Sequence, residues 1–179
     1  MTNKYIDVIV EEMELAAKQK RDVNIEFIIL MLGIELDKKA QLNSDVLGEL
    51  SCSEDNFGNK KYKISINFND HYYRQRFTMA HECGHFLLHK ELIGSGVDDN
   101  KAYRSSSIGN YYNKLILPQH ETEANKFAAG VLMPIGVINA IADDLKIDDL
   151  NNSTNDDIKN LAKKLKVSEQ ALKIRLNKN

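Results

Sequence analysis

The chain has little that would cross-link it or anchor it. Its 179 residues hold no tryptophan and two cysteines, Cys52 and Cys83. So few thiols, one of them inside the most distinctive motif, exclude a disulfide scaffold and point to a reducing compartment. The apolar run FIILML at residues 27–32 is far too short to span a bilayer, and the opening MTNKYIDVIVEEMELAA lacks a basic region followed by an uninterrupted apolar stretch. A cytoplasmic protein with no membrane association is expected. Charge of one sign is also missing: 24 Lys and Arg face 26 Asp and Glu, a net charge of −2. That balance argues against wholesale electrostatic binding to nucleic acid or to an anionic membrane. With 42% apolar residues, the chain reads as one globular domain, or one domain with a small appendage.

What is present is His81-Glu82-Cys83-Gly84-His85. On an α-helix, positions i and i+4 lie on one face, so both imidazoles can reach one metal ion. Glu82 then sits beside the metal, placed to take a proton from water instead of acting as a ligand. The bare pattern arises by chance too often to decide, but its surroundings favour function. Residues 71–90, HYYRQRFTMAHECGHFLLHK, contain no proline, and Phe77, Ala80, Cys83, Gly84, Phe86, Leu87 and Leu88 leave almost no polar face. A helix apolar nearly all round is buried. His81, Glu82 and His85 then need partners, and a metal satisfies all three. Gly84 weakens a helix by roughly 0.8–1 kcal/mol relative to alanine, which makes sense where another backbone or the metal site comes close.

A third ligand is expected from a second helix, from about Gln119 to Met133, which follows Pro118 and opens with Glu121 and Glu123. From Glu121 the face i, i+4, i+7, i+8 passes through Asn125, Ala128 and Ala129, so an amide one turn away would hold the carboxylate in place. From Glu123 the face meets Phe127 and Gly130, which is the pattern of packing. Glu121 ranks first, with Glu123 as the alternative third ligand. Two imidazoles and a carboxylate suit one Zn²⁺ per chain, and manganese or iron fits the same ligands.

RQRFTMAHECGHFLLH, followed about thirty residues later by ETEANKFAAGVLMP, resembles the ImmA/IrrE family of bacterial and phage-encoded metallopeptidases. The likeness runs from the N-terminal helix to at least Pro134, and is specific in these two blocks. It implies that His81 and His85 are zinc ligands, that Glu82 is the catalytic acid/base, and that the acidic residue opening the EAN segment is the third ligand, a gluzincin-like set. It also implies a substrate, a helix-turn-helix repressor controlling a mobile element, prophage or stress response. Cys83 replaces the usual aliphatic residue and reads as core. The family also has a histidine where His89 stands. Here His89 reads either as a group supporting the site or contacting substrate, or as a helix C-terminal histidine favoured by the dipole. His71 and His120 read as surface or capping residues.

Elsewhere, Tyr5, Ile6, Ile9, Met13 and Ala16/Ala17 recur at helical spacing, which predicts a helix over 3–20, with a shorter one near 24–32. Residues 34–39, Val46–Cys52 and Lys61–Asn67 read as three strands, with a turn at 56–59. The expected fold is α+β: a small, mostly antiparallel three-stranded sheet packed on a zincin-like motif helix and further helices. An outer strand of such a sheet can pair with an extended substrate. Between the two site helices, Ile93–Leu117 is rich in Gly, Ser, Asn and Tyr and too long for a simple connection. Tyr103, Arg104, Tyr111 and Tyr112 are its candidates for binding peptide or stabilising an oxyanion.

The polar stretch 148–157 sets off a tail, giving a peptidase domain over 1–147 and a C-terminal helical appendage over 148–179. Ile158–Leu176 reads as two short helices, with Leu161, Ala162, Leu165, Val167, Ala171, Leu172 and Leu176 apolar and Ser168 as an N-cap. This resembles a helix-turn-helix, and residues 158–179 are basic. The would-be recognition helix, with Glu169, Gln170, Lys173 and Arg175, is weak, so packing or docking of a protein substrate is favoured over DNA contact. Two functions follow: a zinc endopeptidase acting on one intracellular protein, or a non-proteolytic module whose zinc site is structural or sensory and which holds a repressor partner or DNA.

Overall fold

The computed structural model describes residues 2–93, 101–105 and 115–178. Helices α1 (Thr2–Lys18) and α2 (Ile25–Met31) come first, followed by strands β1 (Glu35–Ala40), β2 (Val46–Glu54) and β3 (Lys60–Asn67). Next come α3 (Tyr72–His89), a short 3-10 turn (Lys90–Leu92), β4 (Lys101–Ser105), α4 (Pro118–Leu132), α5 (Ile135–Asp144), α6 (Asn155–Leu165) and α7 (Glu169–Arg175). The chain divides into two compact units, one of Ile29–Ala128 and one of Met1–Ile28 with Ala129–Asn179.

The fold class is α+β, and the three strands expected from alternation are all present. β4 joins them, and the sheet is mixed, in the order β1-β3-β2-β4. β1 runs parallel to β3, whereas β2 is antiparallel to both β3 and β4. On one face, Gly48, Leu50 and Cys52 of β2 sit opposite Ile66, Ile64 and Tyr62 of β3. α3 packs on this face. Tyr62 meets Phe86 edge-on at 4.9 Å between ring centroids, and Met79, Ala80 and Cys83 are buried. The absence of a side chain at Gly48 is what lets the layers meet, because a Cβ there would collide with Thr78 Cγ2.

Both ends of β3 are tied by side chains. At the β2–β3 turn, Asp55 accepts from the backbone N–H groups of Phe57 and Asn59, and Gly58 takes φ of +77°. At the far end, buried Asn67 donates to the carbonyls of Val46 (2.8 Å) and Asn43 (3.1 Å), while its own carbonyl accepts from Gln75 of α3. His71 then caps α3 by accepting from the Tyr73 N–H. These contacts fix where the motif helix starts relative to the sheet.

In the other unit, α1 packs on α5, and α5 on α6. Ile9 and Ala16 of α1, Val137, Ile138 and Ile141 of α5, and Ile158, Leu161 and Leu165 of α6 are buried. Glu12, also buried, accepts from Arg21 at 2.6 and 3.0 Å and from the Asn24 N–H at 2.6 Å. Burial by itself would raise its pKa, but the guanidinium and the N–H outweigh it and hold the carboxyl below its usual range. Ser168 caps α7 as expected, and Thr154 with Asp157 forms a capping box on α6. Arg175 donates to the Met133 carbonyl at 3.0 Å and Lys173 to Asn155 at 3.4 Å, so two of the basic groups considered for DNA contact have partners inside the protein.

Helix α5 has no counterpart in the expectations above. The stretch Pro118–Asp144 has the length and apolarity of a membrane span, with half of its apolar 18-residue window buried. It is in fact two helices broken at Pro134, and Ala124, Ala128, Val137, Ile138 and Ile141 are core residues.

Candidate metal centre

The motif lies wholly within α3, so His81, His85 and His89 fall on one face at four-residue spacing. His81, Glu82, Cys83, Gly84, His85 and His89 are all buried, and Glu82 is 0% exposed. The burial is not complete around the helix, since Leu88 is 52% exposed and belongs to the solvent face. Burial pushes the Cys83 thiol up to about 12, which leaves it a neutral core group.

α4 comes close to α3 at this point, and Gly84 allows the approach. A Cβ there would lie 3.2 Å from Ala124 Cα, 3.3 Å from its carbonyl oxygen and 3.0 Å from the Phe127 ring. The close backbone inferred from a glycine in mid-helix is therefore that of α4.

That approach delivers Glu121. Its Oε2 lies 3.1 Å from His81 Nε2 and its Oε1 3.1 Å from His85 Nε2, while the two Nε2 atoms are 3.1 Å apart. These three residues form a group able to hold a metal ion among the described residues. Glu123, two residues on, points elsewhere: its Oε2 is 2.8 Å from His89 Nε2. Asn125, one turn beyond Glu121, does not hold that carboxylate as expected. Its side-chain oxygen faces His81 Nδ1 at 3.0 Å. The amide is one turn from Glu121 in sequence, but the approach of α3 puts an imidazole beside it.

The chemistry of the donors fits a cation. Burial would raise the Glu121 carboxyl, but the two imidazoles outweigh it and hold the group at about 2, so it is ionised at neutral pH. His81 Nδ1 faces the Asn125 amide oxygen at 3.0 Å, and a proton on Nδ1 leaves the Nε2 lone pair free for a cation. With a proton on each Nε2 the imidazoles donate to the carboxylate, and with those protons lost the three groups converging at 3.1 Å need a cation between them. Their spacing is close to the ligand–ligand distance of about 3.3 Å that tetrahedral bonds of about 2.0–2.1 Å produce.

His89 is 5% exposed. Burial lowers its pKa, and the Glu123 carboxylate opposes that without reversing it, so the ring is favoured as neutral. His120 lies over it at 4.8 Å between centroids and accepts from the Leu117 N–H, a capping role. Tyr103 and Arg104 join β4 through their backbones, opposite Glu49 and Gly48. Their side chains lie outside the described residues, as do Tyr111 and Tyr112.

The chain matches the model of the peptidase M78 family, the IrrE N-terminal-like domain, over residues 6–177. The chain belongs to this family. No curated protein matches it. The M78 match extends well past the two blocks that carry the resemblance and includes the whole α3–α4 pair. Membership makes this a metallopeptidase domain, and a peptidase family implies a protein substrate. In these terms the His81, His85 and Glu121 cluster is the part of the M78 domain suited to a metal.

Sequence reasoning missed the hydrogen bonds of Glu123 and the partner of Asn125. Both depend on how α4 is rotated against α3, and helical periodicity carries no record of that rotation.

Proposed function

We propose that the protein is a zinc-dependent endopeptidase that cleaves one specific intracellular protein. The observation that carries the reading is the convergence of His81, His85 and Glu121 beside a fully buried glutamate, in a chain of a metallopeptidase family. In this reading those three residues hold one Zn²⁺, which supplies Lewis acidity toward a scissile carbonyl and lowers the pKa of water. Glu82 takes the proton from the attacking water and returns it to the leaving amine. Its burial suits that task, because a carboxylate shielded from bulk water keeps the proton local. Asn125 holds the His81 ring through Nδ1, and an outer strand, β1 or β4, offers backbone hydrogen bonds to an extended substrate.

The substrate we propose is a helix-turn-helix transcriptional repressor, cleaved in the cytoplasm to derepress mobile-element, prophage or stress genes. This rests on the family resemblance of the two site blocks. In the same reading, residues 148–179 serve as a helical appendage that packs or helps to dock the substrate.

The test is intact-mass spectrometry of the repressor-like protein encoded nearest this gene, after co-expression with wild type and with Glu82→Gln. A single new fragment pair formed only with wild type is the expected result. An uncut partner that co-purifies with both forms would overturn the peptidase reading and leave a non-proteolytic module.

A further inference from the structure

Each site histidine has one ring nitrogen turned toward Glu121 and the other turned toward a second group. For His81 the second group is Asn125 of α4, a direct contact. For His85 it is His89, at 3.1 Å between the two Nδ1 atoms, and His89 in turn reaches Glu123 of α4 at 2.8 Å. One arm has a single link and the other has two. The longer arm ends at a carboxylate that is 56% exposed.

The polarity of this chain is set by its outer end. An ionised carboxylate only accepts, so the proton of the shortest contact sits on His89 Nε2. With one proton on each ring, the His89 lone pair lies on Nδ1, and His85 Nδ1 is the donor across the 3.1 Å contact. That leaves the lone pair of His85 on Nε2, the atom that faces Glu121. The opposite tautomer of His85 would set two lone pairs against each other at a buried contact and put a proton where a metal would bind. The exposed glutamate therefore determines, two hydrogen bonds away, which nitrogen of His85 is available.

We propose that Glu123 and His89 are positioning residues that fix the tautomer and ring orientation of His85, so that a surface carboxylate on α4 governs how tightly the site holds its metal. The inference rests on His85 being a metal ligand, as in the proposed function. It also gives the two acidic residues that open α4 different tasks: Glu121 faces the metal and Glu123 acts through the histidine relay. Groups that orient a metal-binding histidine contribute about 10- to 100-fold in affinity, and a comparable contribution is expected here.

The test is competition of Zn²⁺ between a chromophoric chelator and the full-length protein, for wild type, Glu123→Ala, Glu123→Gln and His85→Ala, with zinc-free melting curves alongside. Glu123 is exposed, so the two zinc-free Glu123 variants should melt as wild type does. Glu123→Ala should bind zinc about tenfold or more weakly. Glu123→Gln, which keeps an oxygen able to accept from His89 Nε2–H but loses the charge, should retain most of the affinity. Equal losses in both variants would reveal a simple charge effect and overturn the relay. Unchanged affinity in Glu123→Ala, with loss in His85→Ala, would overturn the relay and leave the metal site standing. A wild type that takes up no zinc, or a His85→Ala variant that binds as wild type does, would remove both readings together.

Discussion

Gly84 of α3 lies against Ala124 of α4 so closely that an added Cβ would come within 3.2 Å of the Ala124 Cα and 3.3 Å of its carbonyl oxygen. In an open helix, glycine to alanine would stabilise by about 0.8–1 kcal/mol. Here the new methyl meets backbone, which cannot rotate away as a flexible side chain can. Gly84→Ala should therefore destabilise the metal-free protein by about 1–3 kcal/mol, the usual effect of overpacking, and should also weaken zinc binding by displacing Glu121. Urea melts and chelator competition measure the two effects, and a more stable variant with unchanged affinity would disprove the close packing.

Metal binding should appear as stability. Zinc present at about 100 times its dissociation constant adds about 2.7 kcal/mol to a folded state that alone binds it, or roughly 5–10 °C in melting temperature for a chain of this size. Glu121→Gln should lose most of that increment, and Glu123→Gln should keep it. Differential scanning fluorimetry with and without zinc checks both, and equal increments in wild type and Glu121→Gln would exclude Glu121 as a ligand.

Glu12 sets a pH dependence far from the metal. Its folded pKa lies below the ordinary value of 4.5, so its contribution to stability is fully present above about pH 4.5 and fades as pH falls through the lower folded value. At neutral pH, Glu12→Gln should cost about 1.5–3 kcal/mol, as expected for hydrogen bonds to a charged partner. The gap between wild type and Glu12→Gln should narrow steadily on acidification below pH 4.5. Denaturant melts across that range would refute the assignment if the gap stayed constant or widened.

Gly48 and Thr78 make a separable pair. A Cβ at Gly48 meets Thr78 Cγ2, and the β-branched threonine has little freedom to turn its methyl elsewhere. Gly48→Ala should cost about 1–3 kcal/mol, and the double variant Gly48→Ala/Thr78→Ser should recover much of the loss. A double-mutant cycle in chemical denaturation tests this, and strict additivity of the two changes would rule out the contact.

The helices and strands expected from periodicity recur with ends shifted by at most three residues, because alternation at Tyr62, Ile64 and Ile66 and four-residue spacing at His81 and His85 are local signals. What could not be read was relational. No pattern in residues 34–40 tells that β1 pairs parallel to β3, since the pairing joins segments distant in the chain. β4 lay within a stretch whose Gly, Ser, Asn and Tyr content suggests a loop. α5 follows directly on Pro134, where a proline signals an ending although it also tolerates a beginning. The order of Glu121 over Glu123 came from the residues one turn beyond each. In the structure Glu121 stands with the two histidines, but the amide used to rank it faces His81 instead.

β4 has a consequence for the centre that its short length hides. Glu121 reaches the two histidines at the end of a covalent tether running from the end of α3 to the start of α4, and β4 pins that tether to β2 part-way along. The entropy of closing a connection rises with the logarithm of its length, about 0.6 kcal/mol for each doubling. Anchoring the middle replaces one long closure with two short ones. The local concentration of the carboxylate at the histidines is thus set partly by five backbone residues that contribute no ligand, and any peptide that displaced β4 from the sheet would dilute Glu121 at its own site.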